Sequence, residues 1–121
     1  MAALGVPFAH AAPGPVLAAL LNKDLADYPG KEMRAITVTY PPGGSDPVHR
    51  HDAHVFVYVL EGAVVMGVHG QQEVTLKAGQ AWYEAPGDVH TVSRNASSTR
   101  PAKFLVVFLK DKGTADVLPA K

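Results

Sequence analysis

Short runs of alternating apolar and polar residues dominate the chain from residue 31 onward. Residues 33–40 place Ile36, Val38 and Tyr40 on one side of an extended segment, and residues 55–60 form a β-branched and aromatic run too short for a buried helix. Further strands are predicted between breaker-rich turns, at 63–69, 73–76, 81–84, 90–94 and 104–110. No long helical pattern separates these strands, so the chain is predicted to be an antiparallel sandwich, barrel or jelly roll.

Residues 16–27 carry the only helical prediction. The segment reads VLAALLNKDLAD, in which leucine and alanine are good helix formers, and Pro29-Gly30 ends it. We expect one or two helical turns within an N-terminal arm (1–30), then a β-barrel (31–112) and a C-terminal tail (113–121). Ala9-His10-Ala11 is similar to the end of a secretory signal. The expected location is periplasmic if the arm is a signal remnant and cytoplasmic otherwise.

The length and charge of the chain limit the kinds of function that it is expected to have. The chain has 121 residues, which fits one domain, and its 11 basic and 11 acidic residues cancel. Without a basic field, nucleic acid is not an expected partner. No apolar stretch approaches the roughly 18–20 residues that a membrane crossing needs. The absence of cysteine excludes disulfides, zinc–thiolate sites and thiol catalysis.

Three histidines fall in a pattern that fits a metal site. Residues two apart in a strand point to the same face, so His49 and His51 lie side by side while Arg50 points away. Imidazole is a ligand for zinc, copper, iron and nickel. A His-x-His pair alone is a weak signal, but His90 follows the Pro-Gly-Asp turn at 86–88 after another strand. His90 is therefore a candidate for a third ligand beside the pair.

The spacing of these residues resembles the two motifs of the cupin family. The first motif has a glycine, a His-x-His pair, a glutamate and a second glycine; the matching residues are Gly43, His49, His51, Val55 and Gly62. The second motif has a glycine, Pro-x-Gly, a histidine and an asparagine; the matching residues are Gly79, Ala85, Gly87, His90 and Arg94, with Pro86 and Asn95 one place late. The resemblance implies an all-β double-stranded β-helix, or jelly-roll barrel. It also implies a divalent Fe, Ni, Zn or Mn ion on His49, His51 and His90.

The chain departs from the family pattern at Val55, which stands where the motif has its glutamate ligand. Three nearby residues are candidates for the missing group. His54 precedes that position, and strict alternation turns it outward unless the strand bends. Glu84 lies just before the turn leading to His90; it is a candidate ligand or general acid or base, or else it faces outward. Tyr83 and its neighbour Trp82 point to opposite faces, so one of them is expected to line the cavity.

A neutral three-histidine site leaves up to three positions open on an octahedral ion. It therefore predicts a dioxygenase-like enzyme acting on a small enol, diketone or aromatic substrate. Metal-dependent isomerase or lyase chemistry is one alternative. A non-catalytic, small-molecule-binding or sensor protein is another. The strand at 104–109 is apolar on both faces, and one of these faces needs cover outside the barrel, which predicts a homodimer.

Overall fold

Two antiparallel five-stranded sheets make up the protein, in a computed structural model that describes residues 14–120. The strands are β1 (Val16–Asp24), β2 (Lys31–Tyr40), β3 (His49–Arg50), β4 (Ala53–Glu61), β5 (Ala63–Val68), β6 (Val74–Lys77), β7 (Ala81–Glu84), β8 (Val89–Asn95), β9 (Ala102–Asp111) and β10 (Leu118–Pro119). One sheet has the order β1-β2-β9-β4-β7 and the other β10-β3-β8-β5-β6. This arrangement confirms the predicted all-β jelly-roll barrel.

The period-two alternation of the sequence sets which side chains fill the barrel. In β4, Val55, Val57 and Val59 are buried while the residues between them are exposed. β9 alternates in the same way and sends Phe104, Val106 and Phe108 inward. Since β4 and β9 are neighbours, these rows of side chains pack on the same inner face. The barrel interior is therefore predominantly apolar near its centre.

The predicted helix over residues 16–27 is wrong. Residues 16–24 form β1, which pairs antiparallel with β2 along its whole length, and no helix occurs within residues 14–120. Every residue of β1 is exposed, so no buried face imposes a period on its sequence. Pairing with β2 satisfies the backbone groups of β1 on the side that faces β2, and it outweighs the modest helix propensity of leucine and alanine. The signal-like residues 1–12, with His10, lie outside the described residues.

The C-terminal segment also takes part in the sheets, although the sequence indicates only a tail from residue 113. The two residues of β10 pair with β3, which places Pro119 opposite His49 and Leu118 opposite Arg50. The end of the chain therefore runs beside the strand that carries the His-x-His pair. None of the described residues, 14–120, forms a helix with the length and hydropathy that a membrane crossing requires.

Candidate metal centre

Three buried histidines converge at one end of the barrel. His49 and His51 flank Arg50, and the pairing of β3 with β8 sets His49 directly opposite His90. One ring nitrogen from each histidine lies within 4.8 Å of the other two, and the three residues are between 4% and 6% exposed. The three histidines that the sequence predicted as ligands are thus brought together.

Backbone carbonyls fix the tautomers of two of these rings. His49 Nδ1 donates to the carbonyl of Pro47 at 2.7 Å, and His51 Nδ1 donates to the carbonyl of Asp116 at 2.5 Å. A carbonyl only accepts, so both neutral rings carry their proton on Nδ1 and a lone pair on Nε2. The two Nε2 atoms lie 3.2 Å apart. Zinc–imidazole bonds of about 2.0–2.1 Å put two nitrogens that share an ion roughly 3–3.4 Å apart, so the pair fits a metal ion.

Burial also keeps His49 in the form that a metal requires. Desolvation lowers the pKa of His49 from its usual range, the nearby His90 and His51 lower it further, and the hydrogen bond to Pro47 acts in the opposite direction. A lowered pKa leaves the imidazole neutral near pH 7. Only the neutral ring offers its lone pair to a metal, so this ligand is ready to bind without first losing a proton.

Glu84 faces the same site from β7. The register of β4 and β7 sets Glu84 opposite Val55, so both side chains point into the barrel. Its carboxylate is 2% exposed, with Oε1 at 3.1 Å from His90 Nδ1 and Oε2 at 3.6 Å from His51 Nε2. The sequence leaves open whether Glu84 faces the histidines or points outward, and in the structure it faces the histidines.

His54 and Tyr83 lie on the opposite face of the same sheet. Both are exposed, and their side chains meet each other, with His54 Nδ1 at 2.6 Å from the Tyr83 hydroxyl. The structure therefore does not bring either of them to the three histidines. Trp82, the neighbour of Tyr83, faces inward, and its ring lies 5.2 Å from that of His90.

Sequence reasoning missed the role of the segment that leads into β10. Asp116 presents its carbonyl to His51, and its carboxylate is held by Arg34 at 2.8 Å and by Lys110 at 3.4 Å. Lys110 is itself buried and also pairs with Glu32 at 3.3 Å. No sequence signal could have identified this contact, because it uses a main-chain carbonyl that every residue has. The ion-pair cluster therefore anchors the carbonyl that orients a candidate ligand.

Loosening that anchor is expected to weaken metal binding. Asp116→Asn removes the charge that Arg34 and Lys110 share and frees the segment that orients the ring of His51. Loss of such an orienting partner typically lowers metal affinity by about 10- to 100-fold. Competition with a chromophoric chelator for Zn²⁺ measures the change. Lys31→Met, which breaks an exposed ion pair elsewhere on β2, is the matched control and should leave the affinity unchanged; equal affinities in the two variants would contradict the anchoring role.

A cavity of about 270 Å³ opens beside the histidines. Its walls are mostly apolar and are formed by side chains of β2, β4 and β9. Asp46 and Ser93 are two of its polar lining residues, together with Glu84 and Asp116. The first two are linked through one tyrosine. Both contact the buried Tyr40 hydroxyl at 2.5 Å, and burial raises the pKa of Tyr40 well above its usual range, so this hydroxyl stays protonated and donates to Asp46. The cavity therefore suits a small molecule with one or two polar groups.

Comparison with known proteins agrees with this geometry. The chain at residues 36–108 matches the family described as Cupin domain, whereas no curated protein matches the chain in sequence. Among solved structures, DMSP lyase DddQ from Ruegeria pomeroyi is 29% identical with a TM-score of 0.63, over 71% of this chain and 42% of the lyase. The chain thus spans less than half of that lyase.

Two further solved structures share the fold over nearly their full length. A cupin domain from Bordetella pertussis is 20% identical with a TM-score of 0.65, over 84% of this chain and 98% of the other. A double-stranded β-helix protein from Klebsiella pneumoniae is 19% identical with a TM-score of 0.69, over 93% of this chain and 90% of the other. The family match covers more than half of the chain, and the two-sheet barrel agrees with it. The chain therefore belongs to the cupin family.

Proposed function

We propose that the protein is a metal-dependent enzyme that binds a divalent transition metal ion through His49, His51 and His90 and acts on a small oxygen-bearing substrate. The observation that carries this proposal is the convergence of three buried imidazoles beside a cavity, with two Nε2 lone pairs facing each other at 3.2 Å. Two lone pairs repel at this distance unless a cation lies between them. The donor set suits Fe, Ni or Zn, and Mn is a further candidate.

The residues around the site support chemistry on a polar group held in a mostly apolar cavity. A bound metal would supply Lewis-acid polarisation of an oxygen atom, and in the case of iron the capacity to engage dioxygen. The apolar wall from β4 and β9 excludes water and strengthens electrostatic interactions at the site. Ser93 and Asp46 lie on the same cavity wall and offer hydrogen bonds that would orient a substrate hydroxyl or carbonyl.

Dioxygenase-like chemistry on an enol, diketone or aromatic diol is the activity that we propose first. The test loads the full chain with Fe(II) anaerobically, adds a panel of such substrates, and then follows dioxygen uptake with an oxygen electrode. Uptake should depend on both substrate and iron and disappear in His51→Ala. An iron-loaded protein that binds these compounds without oxygen uptake would instead support a binding or sensor role.

Lyase or isomerase chemistry is the second candidate, and the similarity to DMSP lyase DddQ at 29% identity favours it. The two candidates differ in their need for oxygen. A lyase converts its substrate under strict anaerobic conditions, whereas a dioxygenase does not. DMSP is the first probe, with the metal-loaded protein and product detection under argon. Turnover without oxygen would replace the dioxygenase proposal with the lyase.

We also infer that two copies of the chain pair through the outer face of the sheet that contains β4, β7 and β9. Large apolar side chains are exposed there, including Phe56, Tyr58, Tyr83 and Leu109. A continuous apolar patch of this kind is typical of a protein–protein contact. Size-exclusion chromatography with light scattering should give the mass of a dimer at micromolar concentration, and Phe56→Asp should shift the protein to monomer. A wild-type protein that is monomeric at that concentration would contradict the inference.

A further inference from the structure

The carboxylate of Glu84 is buried without the partners that a buried anion needs. Among residues 14–120, Glu84 Oε1 has no hydrogen-bond partner, and neither do the two ring nitrogens of His90 beside it. Within the same range, the only ion-pair contacts of Glu84 are with His90 and His51. Taking an ionised carboxylate out of water is expensive unless a cation compensates it. The ionised form of Glu84 therefore needs positive charge beside it.

The position of Glu84 directs that charge to the three-histidine cluster. Its Oε2 atom lies 3.6 Å from His51 Nε2, the same atom that approaches His49 Nε2 at 3.2 Å. In the neutral ring, His51 Nε2 has a lone pair rather than a proton, because its Nδ1 donates to Asp116. A neutral His51 cannot donate to the carboxylate, so a hydrogen bond does not account for this contact. An ion shared by the carboxylate and the imidazoles accounts for both close approaches.

The register of β4 and β7 explains how this carboxylate reaches the site. Val55 and Glu84 are direct cross-strand partners, both buried, and both line the cavity. Directly opposed side chains have Cβ atoms about 4.5–5.5 Å apart, a gap that a glutamate side chain can span. Val55 offers no ligand atom, whereas its cross-strand partner does. Strand β7 can thus supply a carboxylate on the same inner face where Val55 of β4 offers none.

We propose that Glu84 is a fourth, anionic ligand of the ion held by His49, His51 and His90. This inference rests on the proposed metal site and deepens it. One carboxylate with three neutral imidazoles reduces the charge of a divalent centre to a single positive charge. In six-coordination it leaves two positions open rather than three. Such a centre favours a substrate that presents one anionic oxygen, such as an enolate or a carboxylate, and leaves one position for a second small ligand.

The test is a Co²⁺ titration of the full chain, followed by the visible absorption of bound Co²⁺ and by chelator competition. Glu84→Gln keeps the shape of the side chain and removes its charge. Replacing an anionic ligand by a neutral amide should lower Co²⁺ affinity by at least about 100-fold, since loss of an outer partner alone costs about 10- to 100-fold. The absorption band should also shift, because the ligand set has changed. Glu61→Gln, at an exposed position on β4, is the matched control and should change neither readout.

Moving the carboxylate from β7 to β4 makes the test specific to the carboxylate. The double variant Val55→Glu, Glu84→Val returns a carboxylate to the same face from β4, and it should recover most of the affinity that Glu84→Val alone loses. Wild-type affinity and an unchanged band in Glu84→Gln would overturn the Glu84 proposal and leave the three-histidine site standing. A loss of about 10-fold with an unchanged band would make Glu84 a positioning partner of His90 and would also overturn it. Failure of the wild-type chain to bind Co²⁺ would overturn the metal site itself.

Discussion

Phe108→Ala is expected to lower the free energy of unfolding by about 3–5 kcal/mol, the usual range for removing a buried phenylalanine side chain. Phe108 is 2% exposed, belongs to the barrel core, and lies with its ring 5.5 Å from that of His51. Two sheets held by continuous ladders cannot collapse to fill the space, so most of the cavity should remain. Urea unfolding followed by circular dichroism measures the loss, which should appear as a lower midpoint with an unchanged slope.

Phe56→Ala is the matched control for this change, with both variants and the wild type compared at a concentration where light scattering shows them to be monomeric. Phe56 is on β4, next to β9, but its side chain points outward and is 45% exposed. The same atoms are removed from a surface position, so the expected loss for the single chain is under about 1 kcal/mol. Similar losses in the two variants would show that the inner face of β9 is not the core described above.

Gly62→Ala is expected to destabilise the protein by about 2–5 kcal/mol. Gly62 joins β4 to β5 with a φ of 70°, where an L-residue costs about 1–2 kcal/mol. A Cβ atom here would also lie 2.7 Å from the carbonyl oxygen of Pro101 and 3.1 Å from the Cα of Ala102. The first atom belongs to the residue just before β9 and the second to its first residue, so relief requires a shift of the strand. Overpacking of this kind costs a further 1–3 kcal/mol, roughly. Urea unfolding measures the sum.

Gly30→Ala separates the two contributions. Gly30 has a φ of 81°, but a Cβ atom there would meet nothing within 4 Å. Its expected loss is therefore only the conformational part, about 1–2 kcal/mol. The difference between the two variants measures the clash with β9. If both variants lose the same stability, the close approach of β9 to the β4–β5 turn is not a constraint on this fold.

The sequence predicts the central strands well because their burial is one-sided. β2, β4 and β9 each bury alternate residues, and that periodicity is written into the order of apolar and polar side chains. β1 has no buried face, so its sequence has no such period. Local helix propensity is then the only signal, and it predicts a helix where the structure has a strand. β10 is two residues long and is defined only by its pairing with β3. No local sequence pattern predicts that pairing.

The candidate site also has features that the sequence predicts and features that it does not. The convergence of His49, His51 and His90 follows from strand geometry and motif spacing, and both are visible in the sequence. The orientation of Glu84 is not, because alternation shows that Tyr83 and Glu84 face opposite sides without showing which side is inward. The pairing of β7 with β4 settles that point by aligning Glu84 with the buried Val55. The contact between His51 and Asp116 depends on a fold-back of the chain end and is likewise invisible locally.

We propose above all that His49, His51 and His90 hold a metal ion. The most direct test is metal analysis by inductively coupled plasma mass spectrometry of untagged protein, compared with His90→Ala and with His69→Ala, which changes an exposed histidine at the end of β5. We predict roughly one transition-metal ion per chain in the wild type and in His69→Ala, and almost none in His90→Ala. A wild-type protein that carries no metal and takes none up on reconstitution, or a His90→Ala variant that keeps its metal, would contradict a metal site on these three histidines.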